Sequence, residues 1–274
     1  MGLFLYNSTI YCYIIIKIND MKYSVLTYNI AGYEIIHEIP EQCINPEIEY
    51  IYVTDDHSIT SSTWTVVYAD DLTGTTFDKC YQIRFNPFKY VHTDTVMRID
   101  GSMAIIKDVM PLFEAFESGD YDCAMMLHPT RNTMRDEYLA WVKMRNYPIE
   151  QANKCLSFMY NNGYDVENHK GLFQYNFAIQ RNNDINNRLN AETYQVLRML
   201  ATPPATAERL DQTLGTFVIN THYPEMKIMP IGQYICFNHY FNWCLHGSDR
   251  VMAYDSRYDI TPYMNNKQVN IWYV

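Results

Sequence analysis

The sequence predicts an α/β protein with an open, mostly parallel sheet flanked by helices. Short strands alternate with helices through the first 130 residues, which is typical of parallel strands joined by helical crossovers. Hydrophobic residues make up 48% of the 274 residues and charged residues 19%, the composition of a folded globular chain. The sequence has no P-loop, no Gly-x-Gly-x-x-Gly and no Gly-x-Ser-x-Gly motif, which disfavours P-loop NTPases, Rossmann-type dehydrogenases and α/β-hydrolases.

Apolar residues in alternation predict the strands of the first half, and apolar residues at helical spacing predict its helices. The predicted strands are Tyr23–Tyr28, Glu49–Thr54, Trp64–Tyr68, Thr95–Ile99 and Tyr121–Leu127. The predicted helices are Phe77–Phe85 and Asp108–Phe116, the second with Pro111 in its first turn, where proline is tolerated.

The second half is predicted to contain more helix. Its predicted helices are Met134–Arg145, Glu150–Tyr160, Asp184–Leu200 and Thr206–Asn220. Its predicted strands are Gly171–Gln180, Lys227–Ile231 and Tyr234–Phe237. We therefore predict one domain over residues 23–274, preceded by residues 1–22 as an extension or an additional edge strand.

The N-terminal apolar run Ile10–Ile16 is too short to span a bilayer, so no integral membrane segment is expected. It also lacks the basic start and the cleavage site of a signal peptide. The seven cysteines include no C-x-x-C pair, which favours free thiols and a cytoplasmic location. The net charge of −10 disfavours a nucleic-acid partner, because nucleic acids are themselves negatively charged.

Two acidic sites follow predicted strands, at the edge where α/β sheets bind ligands. Asp100 ends the fourth strand and precedes Gly101, so its carboxylate is able to approach a metal ion or a sugar hydroxyl. The alternative is a capped Asp-Gly turn. Asp55 and Asp56 end the second strand, but adjacent residues on an extended segment point in opposite directions. One of them is expected to contact a nucleobase or ribose, or to cap a helix.

Three further sites carry groups suited to a nucleotide sugar. Arg131 follows His128 at the end of the fifth strand and suits a diphosphate, or is a surface arginine. Asp211 and Gln212 suit the vicinal hydroxyls of a sugar, with Asp211 also able to act as a base, or they lie on a solvated helix face. His246 is either a ligand of a metal or phosphate site, or a structural histidine.

Six short motifs occur in a fixed order over residues 23–222. They are Thr27 to Tyr33, Val53-Thr54-Asp55-Asp56, Ser61 to Val66, Ile99-Asp100-Gly101-Ser102, His128 to Arg131, and Leu210-Asp211-Gln212. In this order they resemble the TOD/MUCI-type glycosyltransferase-like domain family. The sequence departs from the family at Phe88, where histidine is usual, and at Leu210, where arginine is usual.

The resemblance implies a GT-A-like single domain that transfers a sugar from a nucleotide-diphosphate donor to a glycan or another hydroxyl acceptor. It implies that Asp211 and Gln212 are catalytic, and that Asp100 and His246 hold Mn²⁺ or Mg²⁺. The donor-binding residues it implies are Thr27, Tyr28, Gly32, Tyr33, Asp55, Asp56, Arg84, Asp100, Gly101 and Arg131. Because Arg98 occupies the partner position of the usual Asp-x-Asp pair, an alternative is that Arg98 supplies the cationic charge instead of a metal.

Two other functions remain open at this stage. A catalytically silent, GT-A-like module that binds glycans or a partner has the same motifs. A nucleotidyltransferase is disfavoured because no glycine-rich, basic loop follows the first strand. Convergence of Asp100, Asp211 and His246 on one pocket is the observation expected to favour the enzyme.

Overall fold

The computed structural model describes residues 21–128, 131–145, 147–169, 171–201, 210–232 and 239–251. The strands of its main sheet are β1 (Tyr23–Asn29), β2 (Ile48–Thr54), β3 (Thr65–Tyr68), β4 (Thr95–Ile99), β6 (Cys123–Leu127), β7 (Phe173–Arg181) and β8 (Ile228–Ile231). Two short strands, β5 (Met103–Ile105) and β9 (Phe241–Trp243), pair antiparallel as a separate sheet.

The main sheet has the strand order β3-β2-β1-β4-β7-β6-β8. Its pairs are parallel except those of β7, which runs antiparallel to both β4 and β6. The helices are α1 (Thr76–Arg84), α2 (Met110–Ser118), α3 (Met134–Arg145), α4 (Ile149–Asn161), α5 (Asp184–Leu200) and α6 (Leu210–His222). The predicted fold class, a mostly parallel open α/β sheet flanked by helices, is confirmed.

The inner strand β1 is buried on both faces, and every residue after Tyr23 is buried, including the polar Ser24, Thr27 and Asn29. Val25 belongs to the apolar cluster on one face, while Leu26 and Tyr28 belong to the cluster on the other. The edge strand β3, by contrast, has no buried residue. Burial of both faces fixes the register of β1, since a slip of one residue would exchange the two faces.

Helix α1 has a capping box at its start. Thr75 accepts a hydrogen bond from the backbone N–H of Asp78, and Asp78 accepts one from the backbone N–H of Thr75. A cap of this kind contributes about 1 kcal/mol and fixes where the helix begins. It therefore also fixes the position of Arg84, which lies in the last turn of the same short helix.

The structure differs from the sequence-based predictions in its smaller elements. The strands β5 and β9 were not predicted, because three residues are too few to show a period of two. The helix predicted as Thr206–Asn220 is present over Leu210–His222, and residues 206–209 lie outside the described part of the chain. The strand predicted at Tyr234–Phe237 and the predicted extension up to residue 20 lie outside the described residues.

No helix among the described residues is long and apolar enough to cross a membrane.

Candidate functional site

A cavity of about 530 Å³ lies at the carboxyl ends of β1 and β4. The first half of β7, helix α1, the start of α6 and residues 243–246 complete its wall, and we call it the sheet-edge cavity. From β1 the chain proceeds to β2 on one side, and β4 lies on the other side. The sheet-edge cavity is therefore at a topological switch point, where open α/β sheets bind their ligands.

Arg84 is at the centre of the polar groups in this cavity. Its Nε donates to the Tyr28 hydroxyl at 2.8 Å, and its Nη2 donates to Asp100 Oδ1 at 2.7 Å. Its Nη1 is hydrogen-bonded to Asp211 Oδ2. One guanidinium therefore joins residues from β1, from the end of β4 and from the start of α6, and it holds both predicted acidic residues together.

The Arg84 cluster is shielded from water, since the Arg84 side chain is 13% exposed and that of Asp211 only 4%. Burial by itself lowers the pKa of Arg84, but Tyr28 and Asp100 outweigh it and raise the pKa above its ordinary value. Burial raises the pKa of Tyr28 well above its ordinary value, so the phenol stays neutral. Arg84 is thus a permanent cation whose charge faces two carboxylates.

Arg98 does not reach this site. Its side chain lies within the sheet, where Nη1 donates to the carbonyl of Tyr175 at 2.6 Å, and the residue is 2% exposed. Burial, together with the nearby Arg84, lowers the pKa of Arg98 to about 10, so it remains charged at neutral pH. Because Arg98 is not among the residues that line the sheet-edge cavity, it is poorly placed to substitute for a metal ion there.

Gly101 lets the loop after β4 pack against the loop after β1. A Cβ atom at this position would lie 2.8 Å from the carbonyl oxygen of Tyr28 and 3.0 Å from Cγ of Glu34. Gly215 has a similar role in α6, where a Cβ would lie 2.1 Å from the hydroxyl of Tyr175. These two glycines allow the close packing that brings Asp100 and Asp211 to the same guanidinium.

Glu34 joins the loop after β1 to the last described segment of the chain. It accepts hydrogen bonds from the backbone N–H of Gly247 at 3.0 Å and pairs with His246 Nδ1 at 2.5 Å. The exposed ring of Tyr33 lies against the His246 imidazole, with 4.9 Å between the ring centroids. Tyr33, Glu34 and His246 all line the sheet-edge cavity and form part of its wall.

The predicted metal ligands Asp100 and His246 line the same cavity, but each has a protein partner. Asp100 is ion-paired with Arg84, and His246 is paired with Glu34. No group of three or more histidine, cysteine, aspartate or glutamate residues in the described part of the chain is placed to hold a metal ion. The donor set does not fit a metal held by protein ligands alone, and a metal at Asp100 and His246 stays a prediction.

His128 and Arg131 form a second polar group in the cavity wall. The backbone N–H of Arg131 donates to His128 Nδ1 at 3.0 Å, and the Arg131 guanidinium is paired with the fully buried Glu137. Burial, and secondarily Arg131, lowers the pKa of His128 to about 3, so the imidazole is neutral at physiological pH. Arg131 is 26% exposed, twice the exposure of Arg84.

Four of the predicted donor-binding residues lie outside the cavity lining, namely Thr27, Gly32, Asp55 and Asp56. Thr27 is buried within β1. Asp55 accepts hydrogen bonds from the backbone N–H of Ala31 at 2.8 Å and from Lys79 at 3.0 Å. Ala31 and Gly32 both have positive φ, of 58° and 65°, so Asp55 holds a strained turn in place.

Asp56 accepts from the backbone N–H and the hydroxyl of Ser58 and closes the next turn. These contacts are structural, and donor binding by Thr27, Gly32, Asp55 and Asp56 stays a prediction. The other predicted site residues line the sheet-edge cavity: Tyr28, Tyr33, Arg84, Asp100, Gly101, Arg131, Asp211, Gln212 and His246.

Sequence reasoning missed the contribution of β7. Gln174 and Asn176 line the cavity, and the backbone N–H of Asp100 donates to the carbonyl of Asn176 at 2.9 Å. They were missed because sequence does not give strand direction: β7 is antiparallel, so its first half lies beside the carboxyl end of β4. The sequence hinted at their role in the site only by placing polar residues in the middle of a predicted strand.

Three amide oxygens in the cavity are buried and have no hydrogen-bond partner in the structure. They are Gln174 Oε1, Asn176 Oδ1 and Gln212 Oε1. Gln174 and Asn176 are only 8% and 9% exposed. Buried acceptors in native proteins are nearly always satisfied, so these three oxygens are available to accept hydrogen bonds from a molecule in the cavity.

No protein-family model and no curated protein matches the chain. Among solved structures, the chain is similar to mouse xyloside xylosyltransferase 1 in its apo form. The TM-score is 0.41 and the sequence identity 9%, over 77% of this chain and 85% of that chain. A likeness this distant assigns neither a family nor an activity to the chain.

Proposed function

We propose that the chain transfers a sugar from a nucleotide-diphosphate donor to a hydroxyl acceptor such as a glycan. The observation that carries the proposal is the set of unsatisfied amide oxygens of Gln174, Asn176 and Gln212 beside two carboxylates. A sugar presents several O–H donors on adjacent carbons, which is what such a set of acceptors requires.

Asp211 is the proposed catalytic carboxylate. It lies at the start of α6, where the helix N-terminus favours a negative charge, and its pairing with Arg84 holds the side chain in position. In an inverting reaction Asp211 would accept the proton of the acceptor hydroxyl as that oxygen attacks the anomeric carbon. In a retaining reaction it would position the donor sugar instead.

Arg131 is the proposed contact of the leaving diphosphate. Arg84 donates to three protein groups, whereas the Arg131 guanidinium donates to His128 and is paired with Glu137, and it is more exposed. A guanidinium suits phosphate oxygens because its two parallel N–H groups match their geometry. We propose that the diphosphate shares Arg131 with Glu137, and no step in this mechanism passes through a metal ion.

A silent binding module is the second candidate, because Arg84 offsets the charge of both carboxylates that would do the chemistry. In that case the same amide oxygens would bind a sugar without turning it over. The two candidates make the same prediction for binding and opposite predictions for turnover.

The test combines titration with a turnover assay. Calorimetric titration of UDP- and GDP-sugars, with Mn²⁺ and separately with EDTA, would measure binding to the wild-type chain and to Asp211→Asn. Release of free UDP or GDP in the presence of an oligosaccharide acceptor would measure transfer. Binding with turnover that Asp211→Asn abolishes supports the enzyme, and binding without turnover supports the silent module. Failure of every tested nucleotide sugar to bind would overturn the transferase and leave a module that binds a glycan or a partner.

A further inference from the structure

A second cavity of about 540 Å³ lies on the other side of α1 from the Arg84 cluster, between α1, the turn over residues 86–90 and the first part of α5. We call it the α1–α5 groove. Asn182, which lines it, follows Arg181, and Arg181 pairs with Thr95 at the start of β4. The groove therefore extends to the sheet edge opposite the sheet-edge cavity.

The lining of the groove combines aromatic and amide side chains. Five aromatic residues line it, including Phe85, Phe88 and Tyr194, and so do five amide residues, including Asn182 and Asn187. Lys89 is the single charged residue of this described lining, which contains no aspartate, glutamate, histidine or cysteine. Lys89 is itself ion-paired with Asp71.

This composition excludes several kinds of ligand. The described lining has no carboxylate, imidazole or thiol, the side chains that most often carry acid–base chemistry and bind metals. A single paired lysine does not provide the cluster of cations that a polyphosphate or an acidic polymer needs. The ligand that fits is neutral, with flat apolar faces for the rings and many hydroxyl groups for the amides.

Asn182 and Asn187 have a hydrogen-bond donor and an acceptor available to a ligand. Asn187 Nδ2 donates to Asn182 Oδ1 at 3.2 Å, which uses one donor and one acceptor and leaves the pair a carbonyl oxygen and an amino group. A neighbouring donor and acceptor suit two adjacent sugar hydroxyls, since each hydroxyl both donates and accepts. Sugar C–H faces pack on aromatic rings, and the rings of Phe85 and Tyr194 lie 6.3 Å apart in one wall.

The wall of the groove is also held rigidly. Asn190, which lines it, is buried and exchanges two hydrogen bonds with Gln180 of β7. Tyr81 lines both the groove and the sheet-edge cavity, so the two sites are separated by a single helix. A rigid, preformed groove binds a ligand at a lower entropic cost than a flexible one.

We propose that the α1–α5 groove is a non-catalytic binding site for a neutral oligosaccharide. This proposal rests on the lining of the groove and not on the proposed transferase activity. Either proposal can therefore be overturned while the other stands.

The test uses the full chain and a panel of neutral and acidic oligosaccharides, probed by NMR saturation transfer and calorimetry. The panel contains cello-, xylo-, manno- and malto-hexaose and, as acidic members, oligogalacturonate and heparin fragments. We expect at least one neutral hexaose to bind, and Tyr194→Ala to weaken it by about tenfold through loss of ring stacking. Asp211→Asn and added UDP or GDP should leave this binding unchanged.

Two variants at exposed positions keep the proposal testable if Tyr194→Ala fails to fold. Ala191 lines the groove and is exposed on α5, so Ala191→Trp should block the groove without disturbing the core. Gln195 is exposed on the same helix but is not among the lining residues, so Gln195→Trp is its matched control. Three results would overturn the proposal: no neutral hexaose binds, only acidic oligosaccharides bind, or Ala191→Trp and Gln195→Trp bind equally well.

Discussion

The two cavities on either side of α1 have nearly the same volume, about 530 and 540 Å³, but differ in the number of charged side chains that line them. The sheet-edge cavity is lined by two arginines and three carboxylates, and three of its amide oxygens have no partner. The α1–α5 groove has one lysine, and its amides Asn182 and Asn187 are bonded to each other.

Volume therefore does not distinguish the two cavities, whereas their charged side chains and unsatisfied amide oxygens do. Helix α1 is the wall between the two, with Arg84 on the side of the carboxylates and the next residue, Phe85, in the groove.

The largest expected effect comes from removing the cation that holds the sheet-edge cavity together. Arg84→Met should leave Asp100 and Asp211 without their shared partner and lower the free energy of unfolding by about 3–5 kcal/mol. Urea unfolding at pH 7 would measure this loss.

The matched control for that prediction is Arg135→Met, which removes an arginine whose ion pair with Glu167 is about half exposed. Its expected cost is within about 1 kcal/mol. Equal costs for the two variants would show that the Arg84 cluster is no more important to the fold than a surface pair.

The next effect concerns activity and not stability. Asp211→Asn keeps the shape of the side chain and removes its charge, so transfer should fall by about 10²-fold or more if Asp211 acts as the base. The initial rate of UDP or GDP release would measure it. Asp120→Asn, at an exposed carboxylate outside the cavity lining, is the control, and transfer that falls equally in both variants would contradict a specific role for Asp211.

A third prediction uses the buried imidazole in the wall of the sheet-edge cavity. The pKa of His128 is about 3 in the folded chain against 6.5 in its ordinary state, so the unfolded chain takes up the proton first as pH falls. Stability should therefore decrease below pH 6.5, on the order of 2 kcal/mol by pH 5. Urea unfolding of His128→Asn should show a smaller dependence on pH, and an identical dependence would contradict burial of a neutral His128.

The smallest expected effect separates ligand recognition from folding. Gln174→Met should weaken sugar binding by roughly tenfold, because an acceptor is lost, and should leave the stability of the free chain unchanged or slightly raised. Gln180 on the same strand is hydrogen-bonded to Asn190. Gln180→Met should therefore lower stability and leave sugar binding in the sheet-edge cavity unchanged. Calorimetry and thermal unfolding would measure the pair, and the reverse pattern would contradict the assignment of unsatisfied acceptors to a ligand.

The sequence was sufficient to predict the parallel half of the sheet and the residues at its strand ends. Asp100 follows β4, and Tyr28 lies at the end of β1, because alternation of apolar residues locates a buried strand and the polar residue that ends it. The range of α5 was predicted as Asp184–Leu200, which the structure confirms.

The contacts made by Arg84 could not be predicted. The residue was expected to face a phosphate, whereas it donates to Tyr28, Asp100 and Asp211, the last of them 127 residues away in sequence. Such contacts depend on how helices pack on the sheet, which no local pattern specifies. The same limit applies to Gln174 and Asn176, whose place at the site follows from the direction of β7.

Glu34 and His246, which share a hydrogen bond in the wall of the sheet-edge cavity, are 212 residues apart along the chain. At a synthesis rate of about 5–20 residues per second, a ribosome needs roughly 10–40 s to proceed from one to the other. During that interval β2, β4 and β7 are synthesised, and the wall formed by residues 243–246 comes last among the described parts of the cavity. The sheet-edge cavity therefore cannot be complete until His246 has been added to the chain.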